Sequence, residues 1–192
     1  MLSYILQIIT ISITLGLGLF SAYQTKKIQH GQNIVSVTTN YRMRRCEQLK
    51  ECGQILLSNS VPELLDLQAE NHDMLKNAYT ASETIGMIMH RHFAADKELI
   101  DLAGEIVEKA FLYNETKTDK TRLRAELTYK RKLFRIKCDI YTTADWNRIK
   151  SETQGVNTTS QSWLDYYAKL KDSFQKDIEE IETEYKIAIG EE

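Results

Sequence analysis

No charged side chain occurs between Met1 and Thr25; the first are Lys26 and Lys27, and charges are dense from there to the end. A helix of about 25 residues is roughly 37 Å long, enough to cross a hydrocarbon core of about 30 Å. A cleaved secretory signal needs a basic start, a shorter apolar run and a small-x-small cleavage site. This stretch has no Lys or Arg, and its nearest site, Phe20-Ser21-Ala22, puts a bulky ring where a small residue is wanted. Residues 1–25 are therefore expected to form an uncleaved transmembrane helix. Lys26, Lys27, Arg42, Arg44 and Arg45 make a basic juxtamembrane segment, and no such residue precedes the run. The positive-inside rule then puts the N-terminus outside and the body in the cytoplasm. Cys46, Cys52 and Cys138 are odd in number and lack a metal or redox spacing, which fits a reducing compartment. The glycosylation patterns Asn114-Glu115-Thr116 and Asn157-Thr158-Thr159 carry no meaning for a cytoplasmic body.

Beyond the apolar run the chain reads as all helix. Its 192 residues include one proline and 8 glycines, and no alternating β-branched run is bounded by hairpin turns. The expected architecture is all-α: a transmembrane helix at 1–25, a juxtamembrane helix at 26–59 and an antiparallel helical bundle at 60–192. Ile34, Val37, Tyr41, Gln48, Cys52 and Ile55 fall near a heptad line that Arg45 interrupts. The β-branched patch from Val35 to Thr39 lowers helix propensity and allows a bend. Ser60-Val61-Pro62-Glu63 matches a capping box, so a helix is expected to start there, with a break near Asn71. Asp96 is expected to cap the next helix. Asn114 to Lys120 reads as a loop, Thr121 to Ser151 as a long helix, and Gly155 as its terminator. A last helix starts near Ser160 or Ser162. Its seam, Trp163, Tyr167, Leu170, Phe174, Ile178, Ile181 and Tyr185, suits a bundle interior or another subunit.

Catalytic signals are sparse. His90 and His92 flank Arg91, and residues two apart on a helix point nearly opposite ways, so this pair does not chelate one metal ion. Helical ribonucleases of bacterial defence carry an Arg-x4–6-His pair; no arginine here is followed by a histidine at that distance. No Gly-x-Ser-x-Gly elbow and no Cys–His arrangement is present. The reading is a protein that is not an enzyme, with no cofactor and no metal. The segment from Lys117 to Lys137 is strongly basic, with Lys130, Arg131, Lys132, Arg135 and Lys137 at its centre. The last helix is acidic through Asp177, Glu179, Glu180, Glu182 and Glu184. Internal or intersubunit pairing of the two is favoured over lipid headgroups, and nucleic acid is the least favoured partner.

The apolar run has its own pattern. At about 100° per residue, Ser3, Gln7, Thr10, Thr14 and Ser21 fall near one line, with Leu17 the large apolar residue among them. Polar groups facing lipid are costly without partners, and a chain with one span finds them in copies of itself. Ser12, Gly16, Gly18 and Ala22 recur at small-xxx-small spacing and permit close helix approach. Three readings stay open: a stripe lining an aqueous pore, a stripe sealing a closed assembly or holding a partner protein, and a passive anchor. In the last, Ser and Thr bond their own backbone, which leaves only Gln7 without an account.

MLSYILQIITISITLGLGLF, the order and size of the segments, and a helical body with no intact Arg-x4–6-His together resemble the small single-span membrane accessory proteins of type VI-B CRISPR systems. The resemblance implies a ring-shaped homo-oligomer in the bacterial inner membrane whose helices surround a pore. It also implies a functional link to an RNA-guided nuclease, with membrane depolarisation as an anti-phage response.

Overall fold

The computed structural model describes the backbone of residues 2–67, 71–154 and 160–191, and the side chains of these except 2–17, 28, 30–34 and 160. Among the described residues there are seven helices: α1 (Leu2–Ser58), α2 (Pro62–Leu67), α3 (His72–Ile88), α4 (Ala94–Glu115), α5 (Thr121–Thr153), α6 (Ser160–Ser173) and α7 (Gln175–Ile189). The all-α expectation therefore holds for the described residues. The transmembrane part of the expected fold is corrected. Among the described residues no helix is long and apolar enough to cross a membrane. The described side chains of α1 begin at Gly18, leaving Leu19, Phe20 and Tyr23 as the large apolar residues before Lys26 and Lys27.

The chain divides into two compact units, residues 1–41 and 42–192. In the first, α1 continues through the β-branched patch with no break in its helical backbone.

The second unit is built around α5. α4 runs antiparallel to it, and the register is recorded by three ion pairs: Glu98 with Lys137, Glu105 with Lys130 at 2.7 Å, and Lys109 with Glu126 at 2.7 Å. The last 17 residues of α1, Arg42 to Ser58, are antiparallel to α5 as well. α3 packs on α4, and α6 and α7 pack on α5. Leu49, Leu56, Ile85, Leu99, Ile106, Leu127, Phe134 and Tyr141 are fully enclosed. Burying each such side chain contributes about 1.5–3 kcal/mol, which is what holds helices of modest propensity in place.

Local signals were met in part. The break near Asn71 separates α2 from α3, and Asn71 is buried there, donating to the Leu65 carbonyl and to Asn114 Oδ1 at 2.9 Å. The capping box does not form. The Ser60 hydroxyl donates back to the Leu56 carbonyl at 2.7 Å, and α2 starts from the Val61 carbonyl instead. Asp96 is not the cap of α4 either; Phe93 holds that position. The expected last helix is two, α6 and α7, with hydrogen bonds from Phe174 to the Leu170 carbonyl and from Ile178 to the Phe174 carbonyl across the join. Gly155 and Asn157-Thr158-Thr159 lie outside the described residues.

Candidate functional site

Two of the basic residues expected beside a membrane are instead engaged inside the second unit. Arg42 pairs with Glu152, and Arg45 Nη2 lies 2.8 Å from Asp145 Oδ2. Arg44, Lys26 and Lys27 are exposed. Further along the same antiparallel register, a methyl group on Gly53 would lie 3.3 Å from the Phe134 ring, so the two helices approach closely there. Arg131 Nη2 then donates to the Leu57 carbonyl at 2.9 Å, satisfying one of the orphan acceptors at the end of α1.

Asp145 is 1% exposed and Asp96 2%. A buried carboxylate is tolerated only when paired or hydrogen-bonded, and both are. Asp145 accepts from Arg45 and, at 3.5 Å, from the Cys46 thiol; Asp96 accepts from the His90 backbone N–H at 2.8 Å. Tyr141 joins the group: its ring lies 5.6 Å from the Arg45 guanidinium carbon, and burial holds its hydroxyl above its ordinary value. Trp163 meets Tyr141 edge-on at 5.3 Å and stacks on Tyr167 at 5.1 Å. Burial works against the Arg45 charge, but Tyr141 and Asp145 outweigh it and leave the guanidinium above its ordinary value. Burial, reinforced by Asp145, pushes the Cys46 thiol up to about 12. The Cys138 thiol is likewise pushed up to about 12 by burial. Thiols of this kind are protonated at neutral pH and are poor nucleophiles. The arrangement is a closed set of charges engaged with one another.

Sequence reading noticed Arg45 as an interruption of an apolar line but did not single out its partner. The signal was present. Phe134, Cys138, Tyr141 and Asp145 are spaced four, three and four apart on α5, so Asp145 is an acid on an apolar stripe. His90, Arg91 and His92 lie in the turn after α3 and are exposed. Among the described residues no group of three or more His, Cys, Asp or Glu is placed to hold a metal ion.

The basic segment of α5 has two populations. Lys130, Lys132 and Lys137 are ion-paired to Glu105, Glu184 and Glu98 respectively. Arg124 reaches Glu63 at 2.6 Å. Arg131 and Arg135, four apart on the side facing α1, line an open groove with Lys50.

Of the residues expected on the polar stripe, the side chains of Ser3, Gln7, Thr10 and Thr14 lie outside the described residues, as do those of Ser12 and Gly16. Ser21, Gly18 and Ala22 are described and exposed. The Ser21 carbonyl accepts from the Thr25 hydroxyl at 2.9 Å.

No protein-family model matches the chain, and no curated protein or solved structure matches it. The resemblance to membrane accessory proteins of type VI-B CRISPR systems is therefore corrected. Its consequences fall with it: the ring, the pore, the link to an RNA-guided nuclease and the inner-membrane location with the N-terminus outside. They required a spanning helix, and among the described residues none is long and apolar enough.

Proposed function

We propose that the chain is a helical protein-interaction module rather than an enzyme, and that α1 carries the surface that meets its partner. One observation carries this. Leu19, Phe20, Tyr23 and Val37 are 67%, 62%, 65% and 70% exposed on α1. Leu19 and Tyr23 are four residues apart, as are Val37 and Tyr41, so each pair shares a helical face. Exposed apolar patches of this kind mark interaction sites, and an apolar helical face suits a groove on a second protein. Covering each residue on binding contributes about 1.5–3 kcal/mol before association costs.

The non-catalytic part of the reading is supported by the use made of the buried charges. Arg45 engages Asp145 and Tyr141, Asp96 engages the His90 backbone, and the Cys46 thiol is held protonated beside Asp145.

A photo-crosslinking residue placed at Tyr23, and separately at Val37, of the full chain in expressing cells tests the interaction. The expected result is a discrete adduct of defined mass at both positions, lost when Leu19 and Phe20 are changed to serine. No adduct at either position overturns the proposal. A turnover activity that disappears on Asp145→Asn, with the fold retained, overturns the non-enzymatic part.

A further inference from the structure

The groove between the end of α1 and the middle of α5 has a volume of about 460 Å³, within the range of small-molecule sites, about 300–1,000 Å³. Three cationic side chains converge on it: Lys50 from α1, and Arg131 and Arg135 from α5. Their situation differs from that of the neighbouring bases. Lys130, Lys132 and Lys137 each have a carboxylate partner on α4 or α7. Among the described residues, no ion pair engages Lys50, Arg131 or Arg135. Arg131 is held in place by the Leu57 carbonyl, and its Nε is buried with no hydrogen-bond partner among the described residues. Asp139 is the one carboxylate of the lining, so three positive charges face one negative charge.

We infer that this groove binds a phosphate monoester attached to a compact apolar or heterocyclic body, of which a nucleoside monophosphate is the representative. The excess of two positive charges matches a phosphate monoester, which carries about −1.5 to −2 at pH 7. The exposed Arg135 guanidinium suits phosphate because its planar donors can bind it in a bidentate fashion, while Arg131, whose Nη2 is held by the Leu57 carbonyl, contributes charge. The body has its own surface: Leu57 and Val61, both half-buried, line the groove together with Gln54. The close approach at Gly53 brings both helices near enough to share one ligand.

The test is calorimetric titration of the full chain with adenosine 5′-monophosphate, inorganic phosphate and adenosine, each at low and high salt. The monophosphate is expected to bind at least about tenfold tighter than inorganic phosphate, to weaken as salt rises, and to outcompete adenosine. Arg135→Gln and Lys50→Gln remove exposed side chains that no ion pair engages, so both variants should fold; each should weaken the monophosphate by about tenfold. Arg131→Lys keeps a charge but loses the hydrogen bond to the Leu57 carbonyl, so its fold is checked by circular dichroism before titration. No binding of the monophosphate overturns the inference. So does affinity equal to that of inorganic phosphate, or affinity unchanged in the Arg135→Gln, Lys50→Gln double variant.

Discussion

Arg45 and Asp145 meet at 2.8 Å between α1 and α5, and Asp145 is almost wholly enclosed. Breaking such a pair from one side leaves an uncompensated buried charge, at a cost of about 3–5 kcal/mol. Asp145→Ala should lower stability by about that amount, measured by urea denaturation of the full chain. The Arg45→Met, Asp145→Leu double variant should recover most of the loss, because apolar residues of similar volume replace both charges. A double variant as unstable as Asp145→Ala would show that the pair does more than compensate itself.

Gly53 and Gly104 form a contrasting pair. A Cβ at Gly53 would meet the Phe134 ring at 3.3 Å, whereas at Gly104 nothing lies within 4 Å. Gly104→Ala should therefore stabilise the protein by about 0.5–1 kcal/mol through helix propensity alone. Gly53→Leu should destabilise by about 1–3 kcal/mol, because Phe134 is fully buried and has nowhere to move. Thermal unfolding of the two variants should shift in opposite directions.

Acid should weaken the α4–α5 contact. The hydrogen bond from Lys109 holds the Glu126 carboxyl below its ordinary value of 4.5, with burial opposing. A carboxyl that is lower in the folded state adds stability above pH 4.5, and that stability is lost as pH falls through the folded value. Lys109→Gln should bring the Glu126 carboxyl back toward 4.5 in an NMR titration. The pair is partly exposed, so the loss of stability at neutral pH should be only about 0.2–1 kcal/mol.

Alkali acts through the thiols. The Cys46 and Cys138 thiols are pushed from 9.0 to about 12. The unfolded chain ionises them near pH 9 while the folded chain resists until about pH 12, so stability should fall as pH rises across that interval. In the native protein at pH 8, Cys52 should react first with a thiol reagent, since it alone of the three is not fully buried. Cys46 and Cys138 should react only at the rate of opening. Equal rates for all three would contradict the burial.

The helical class was legible because its causes are local. One proline, few glycines and apolar residues at helical spacing leave few alternatives, and the start of α5 at Thr121 followed from polar runs and periodicity, although α4 runs two residues into the loop expected from Asn114. The capping box at Ser60 needed both of its side chains turned to α2, but the Ser60 hydroxyl donates back to the Leu56 carbonyl at the end of α1 and the Glu63 carboxylate accepts from Arg124 on α5. The basic run of α5 showed its charge in the sequence and one partner, Glu184 on the acidic last helix, which takes Lys132, but not the partners on α4. Glu98 and Glu105, which take Lys137 and Lys130, lie on another helix and are brought opposite only by the antiparallel register.

The same division separates what each level determined. Apolar spacing and the scarcity of helix breakers determined that the chain forms helices and which faces those helices bury, since each depends on neighbours within a few residues. Only the tertiary structure decided that Arg45 answers Asp145, that Gly53 lets α1 reach Phe134, and that Lys50, Arg131 and Arg135 share one groove. Those relationships join residues about a hundred positions apart in the first case and about eighty in the others, and helix spacing carries no information at that range.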